Sequence, residues 1–238
     1  MVFMKRILPT VILVLVVLAG CLPAGSKYPP NKPFSPIVDV QYMDLSLITG
    51  VPCAAPCWHG LTVDKSTKKE TLTVINSLAF VDPSSIHETE SGYWDPSYKS
   101  GESVAAVEIT ANCKKPEGKE CFLFEFVGNI LKDIYYFPNY TMTLQDAVNY
   151  FGKPSCLTNF GWGAECLGCG IRLIYDTRQL SVSVLDKRCG EGAELCSAIR
   201  QGGKIPPDYV VDTIVYYSQA WVGYSMRECF AWPSFLSH

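Results

Sequence analysis

The sequence predicts an α+β fold made of two tandem modules, each a short helix or helix pair packed on a small antiparallel β-sheet. Three observations predict it. A helix-start signature occurs twice, at Thr67 and at Thr143, 76 residues apart. Each start is followed by a strand-rich block. The chain is 48% apolar and 18% charged, enough for a hydrophobic core in a chain of 238 residues.

Residues 1–20 read as a secretory leader. Lys5 and Arg6 give a positive start, and the apolar run from Ile7 to Val17 is broken only by Pro9 and Thr10. That run is too short to span about 30 Å of hydrocarbon, and no later stretch reaches the length of a spanning helix. Leu18-Ala19-Gly20-Cys21 closes the segment and resembles the bacterial lipoprotein lipobox. The resemblance implies that Cys21 carries a diacylglyceryl group and becomes the new N-terminus, with the lipid bilayer as the first partner. Removing the leader leaves 218 residues and takes the net charge from −3 to −5. With no Lys/Arg run, this balance argues against nucleic acid as a partner.

Residues 21–45 read as a tether. Pro23, Pro29, Pro30, Pro33 and Pro36 favour extended polyproline II, which at about 3 Å per residue gives residues 22–36 a reach of roughly 45 Å. The first module is expected at 46–138. Thr67 and Glu70 form a capping box, and Leu72, Ile75, Leu78 and Ala79 fall on one helical face. Strands follow at 103–110, and at 121–127 with 131–137 as a hairpin around Gly128-Asn129. The second module is expected at 139–238. Thr143 and Asp146 repeat the capping spacing, Leu144, Ala147, Val148 and Phe151 make the apolar face, and Gly152 and Pro154 end the helix. Strands are expected at 171–175, 180–185 and 209–217. Leu180, Val182 and Val184 alternate with Ser181 and Ser183, which predicts one buried face and one wet face.

With Cys21 acylated, ten cysteines remain in an exported chain, an even number that predicts disulfides. Proximity suggests Cys53 with Cys57, Cys113 with Cys121, Cys166 with Cys169 and Cys189 with Cys196, leaving Cys156 and Cys229 to close a long loop. Other connectivities, a metal site and free thiols stay open.

Cys57-Trp58-His59-Gly60-Leu61-Thr62, followed by Ser66-Thr67 and Glu70, resembles the W-x-G-[IL]-T-x-G-x-[ST]-T-x-x-E opening of many bacterial lipoproteins. Asp64-Lys65 stands where that pattern carries its turn glycine. The run from Thr143 to Pro154 is similar to the [ST]-x-x-[ED]-V-x-x-x-x-G-x-P element of small outer-membrane-assembly lipoproteins of the SmpA/OmlA type. The β-lactamase inhibitor protein is built from tandem domains of that sort. The resemblance implies a helical hairpin on one face of a small antiparallel sheet, twice.

Residues able to carry chemistry are few. Among the three histidines, His59 beside Cys57 suggests a thiolate–imidazole couple or, with Cys53, a metal site; the competing reading is a disulfide-tied turn whose Trp58 fills the core. His87 lies in a polar stretch and reads as solvated loop. Cys166-Leu167-Gly168-Cys169 precedes a strand rather than a helix, which favours a structural bridge over a redox pair. No catalytic residue, metal or cofactor is therefore assigned. Trp94, Tyr98, Trp162, Tyr216, Tyr217 and Trp221 are the candidate binding surface, because large rings with polar tips suit contact. The expectation is a membrane-anchored protein on the outer face of a bacterial membrane. It would bind an envelope protein or extracellular ligand without catalysis. The alternatives are a structural part of envelope assembly or an enzyme using thiol-redox or metal chemistry.

Overall fold

Both helix starts form as their capping chemistry dictates. Thr67 is extended, its Oγ1 accepts the Glu70 N–H at 3.3 Å, and the Glu70 carboxylate accepts the Thr67 N–H at 2.7 Å. The same exchange joins Thr143 and Asp146, at 3.1 and 2.9 Å. The computed structural model describes residues 40–94, 103–161, 169–186, 205 and 207–221. Three α-helices lie wholly among them, α1 (Ser46–Thr49), α2 (Lys68–Ser77) and α3 (Leu144–Phe151), and residues 219–221 begin a further helical turn. α2 buries Thr71 and Ile75; α3 buries Leu144, Ala147 and Phe151. Gly152 ends α3 at φ 79°, a conformation that suits a residue without Cβ.

A two-stranded hairpin, β1 (Cys57–Trp58) and β2 (Leu61–Thr62), precedes α2. Eight further strands follow: β3 (His87–Trp94), β4 (Ser103–Asn112), β5 (Glu120–Val127), β6 (Ile130–Tyr136), β7 (Cys156–Gly161), β8 (Cys169–Tyr175), β9 (Leu180–Asp186) and β10 (Thr213–Tyr217). They form one antiparallel sheet in the order β3-β4-β5-β6-β10-β9-β8-β7.

That order overturns the expected α+β fold of two helix-packed modules. Among the described residues the protein is mostly β, with single short helices rather than helix pairs. The strands of the two predicted modules join through β6 and β10, from Ile214 opposite Tyr136 to Tyr217 opposite Asp133. The physical reason is the edge. Left apart, β6 and β10 would each expose a row of unpaired N–H and C=O groups beside apolar side chains. Paired, they place Ile134, Tyr136, Ile214 and Tyr216 in one continuous core. That core lies on the face that carries α2, α3 and the β1–β2 hairpin, and it also holds Trp58, Ile75, Phe122, Phe124, Phe126, Leu144, Leu173 and Val182.

Besides the short β1–β2 hairpin, two strands of the large sheet lie where no strand is predicted. β3 reads His-Glu-Thr-Glu-Ser-Gly, and its first four residues are exposed, the pattern of a charged edge strand rather than a loop. β7, at the opposite edge, pairs with β8 from Cys156 opposite Ile174. The last strand is shorter than 209–217, because Tyr209 and Val211 bond to the approach to α3: Leu144 N–H to the Tyr209 carbonyl at 2.7 Å, and Val211 N–H to the Met142 carbonyl at 2.8 Å. Ser181 and Ser183 are also buried, at 0% and 5% exposure, so β9 is covered on both faces and the expected wet face is absent.

Two of the suggested disulfides are present. Cys53–Cys57 and Cys113–Cys121 have Cα separations of 5.6 and 5.1 Å, within the range that a bridge requires.

Candidate functional site

Two polar clusters stand out, one at each face of the sheet. The first joins the chain's early segment to the β1–β2 hairpin. Trp58 lies in the core at 1% exposure, against Phe122 and Phe124. Its Nε1–H donates to Asp44 Oδ2 at 2.8 Å. Asp44, itself 1% exposed, also accepts the Ser46 N–H at 2.9 Å and lies 3.1 Å from His59 Nε2. A carboxylate only accepts, so the His59 nitrogen carries the hydrogen in that contact. Burial alone would push the Asp44 carboxyl up; the His59 hydrogen bond and charge, with the Ser46 and Trp58 N–H groups, hold it below its ordinary value. His59 adopts φ 48° and Asp64 φ 63°, the left-handed region. Asp64 thus makes the turn for which the resembling pattern uses glycine. Cys57 is bonded to Cys53, so in this oxidised form neither the thiolate of the suggested couple with His59 nor the pair of thiolates for a metal site exists.

The second cluster lies on the sheet face opposite α2 and α3, where the helical turn begun at residues 219–221 places Trp221. A bulge in β6 creates it. Phe126 faces Leu131, but Glu125 faces Asp133, so Lys132 has no residue opposite and the register shifts. Leu131 and Phe126 thereby stay in the core while Asp133 turns to the opposite face beside Glu125. Lys132 reaches back to Asp64 at 2.8 Å. A cross-strand row results: Thr89 opposite Glu108, Glu108 opposite Glu125, Glu125 opposite Asp133, and Asp133 opposite Tyr217. Like charges directly opposite one another repel. Burial, then the charge of Glu125, raises the Asp133 carboxyl well above its usual range; burial also raises Glu125, with Tyr135 and Asp133 opposing. Asp133 is 2% exposed, and its Oδ1 has no hydrogen-bond partner. Tyr93 Oη, near it, is likewise buried without a well-formed hydrogen bond, and burial followed by the Asp133 charge drives that hydroxyl up.

Aromatic side chains surround this row. Val215 and Tyr217 form a small second apolar cluster with Tyr135 and Trp221, and the Trp221 ring meets Trp94 edge to face at 5.3 Å. The face is graded. Thr89 at the β3 edge is exposed, Glu108 and Glu125 are half-buried, and Asp133 and Tyr217 are closed off.

Three of the six proposed binding-surface residues, Trp94, Tyr217 and Trp221, are therefore brought together. Tyr216 is not among them: strand alternation sends it into the core on the other face, at 2% exposure. Tyr98 and Trp162 lie outside the described residues, as do Cys21, Cys166, Cys189, Cys196 and Cys229. Cys156 is disulfide-bonded. Cys169 opens β8. His87 begins the β3 edge strand, exposed but not in a loop. Asp44, Glu125, Asp133 and Tyr93 escape a sequence reading based on motifs. The available signal is a lone acid at an outward position of an apolar strand, Phe122-Leu123-Phe124-Glu125-Phe126 and Leu131-Lys132-Asp133-Ile134.

The class defined by this geometry is a mostly-β protein with one eight-stranded antiparallel sheet, α2 and α3 on one face and an acid row beside aromatics on the other. Comparison with protein-family profiles, curated proteins and solved structures returns no match.

Proposed function

We propose that the chain is an exported, lipid-anchored envelope protein that binds a protein or ligand through the sheet face that carries the acid row, without catalysis. The observation carrying the binding reading is the convergence of Trp94, Tyr217 and Trp221 on that face, grading into the half-buried Glu108 and Glu125. Rigid rings beside polar groups on a sheet are the usual anchors of recognition. The anchor reading rests on the residues up to Cys21, and the disulfides Cys53–Cys57 and Cys113–Cys121 agree with an oxidising compartment. The resemblance to envelope lipoproteins points the same way.

Side-specific photo-cross-linking in intact bacteria tests the binding reading. A cross-linker at Thr89, exposed on the acid-row face, is expected to capture a discrete partner or labelled ligand. One at Asn76, exposed on α2, is not. Equal capture from both positions, or none from Thr89, removes the reading. Mass spectrometry of the mature N-terminus tests the anchor: a diacylglyceryl-modified Cys21 is expected, and Cys21→Ser should release the protein from membranes.

A further inference from the structure

We propose that Asp133 and Glu125 are the anionic floor of a binding site for a small organic cation, a primary ammonium or guanidinium group, walled by Tyr93, Tyr135, Tyr217 and Trp221. This deepens the binding reading of the same face and rests on it.

Three independent observations converge. The first is an unbalanced charge. Glu108, Glu125 and Asp133 stand directly opposite one another on three neighbouring strands. The ion pairs among the described residues go elsewhere: Lys132 to Asp64, Lys68 to Glu88 and His59 to Asp44. Arg172, on the same face, donates to Ser183 Oγ at 3.4 Å. Buried acids in such a row need a proton or a cation opposite them. The second is unmade hydrogen bonding. Asp133 Oδ1 and Tyr93 Oη are both buried and neither makes a well-formed hydrogen bond, although the two groups lie near enough to shift one another. An N–H donor seated between them would satisfy the first, and the tyrosine oxygen can accept a second N–H. The third is the wall. Tyrosine and tryptophan faces attract cations through their ring quadrupoles, and the attraction grows as water is excluded.

The same geometry selects against a bare metal ion. Among the described residues, no three His, Cys, Asp or Glu side chains converge to hold one. An extended cation with several N–H groups can reach Asp133 and Glu125 together and still lie against the rings. Glu108 and Glu125, half-buried, are the acids of the row that solvent reaches.

The test uses the full mature protein at low ionic strength, with putrescine, L-arginine methyl ester and tetramethylammonium as probes and sodium chloride as the control. Calorimetry is expected to show saturable binding of at least one N–H-bearing probe, with thermal stabilisation that equimolar sodium does not reproduce. Tetramethylammonium, which offers no N–H, should bind at least tenfold more weakly. Asp133→Asn should weaken binding at least tenfold. Where that buried variant fails to fold, the half-buried Glu125→Gln decides, with the same expected loss. Affinity should also rise with pH as the acids ionise. No saturable binding by any probe, or equal binding in the wild type and Glu125→Gln, overturns the proposal. Because cross-linking at Thr89 is read separately, absent amine binding with capture intact removes the cation site alone. Loss of both removes the binding reading as well.

Discussion

At the scale of single residues, the two buried acids carry opposite pH signatures. Asp44 has its folded value lowered from 3.8, so its contribution is present above that value and lost as pH falls through the lower one. Asp44→Ala leaves the Trp58 Nε1–H, the Ser46 N–H and His59 without their acceptor, and should cost about 3–5 kcal/mol at neutral pH. Urea titrations of wild type and variant should converge as pH falls towards 3; a gap unchanged from pH 7 would contradict this account. Asp133 has its folded value raised from 3.8, so the native state binds more protons than the unfolded chain. Stability should therefore fall as pH rises from about 4 through the raised value. Asp133→Asn should flatten that decline and leave the protein more stable than wild type at neutral pH, measured by denaturation in buffers without amines. Neither acid was legible from sequence. Asp44 gains its role from Trp58 and His59, 14 and 15 residues away, and Asp133 from a bulge that sets its register against Glu125. A linear pattern fixes which residues are apolar, not which acids end up opposite one another.

At the scale of elements, local chemistry was the most readable. Both capping boxes close through the predicted residues because the contacts span only three positions. Thr143→Ala should cost about 1 kcal/mol, the usual value for a lost N-cap. Thr67→Ala should cost a similar amount, and because the two caps lie on different helices the double variant should lose the sum. Thermal unfolding of the four proteins checks this; a double variant no worse than either single would mean that the helices are not independent caps. The hairpin at Gly128 was equally legible, from a short turn between apolar strands. β3 was not. Its glutamates and threonine are exposed, so it lacks the apolar alternation by which strands are recognised, and it is held by eight ladder pairs to β4 instead. Ser181 and Ser183 mislead in the opposite direction: serine in a strand ordinarily marks the wet face, yet both lie buried in β9, a strand covered on each side.

At the scale of the whole molecule, the repeat of helix and strands is visible in the sequence, but its consequence is not. Two similar runs can fold apart or share an edge, and the choice depends on whether the last strand of each run offers the other a matching apolar face. β6 presents Ile134 and Tyr136, and β10 presents Ile214 and Tyr216, on the same side of the shared sheet. Their pairing converts two edges into the centre of one core. Such a core should lose its order in a single step, because opening either half strips the other of its central neighbour. Unfolding followed by tryptophan fluorescence should coincide with unfolding followed by far-ultraviolet circular dichroism, with one urea midpoint. The sharper probe is Ile214→Pro, which removes an N–H from the strand between β6 and β9 and adds a ring at a buried position. In one cooperative sheet this lowers the midpoint for the whole transition. Two separated transitions in that variant, one of them at the wild-type midpoint, would mean that the β3–β6 and β7–β9 halves are stable without their junction.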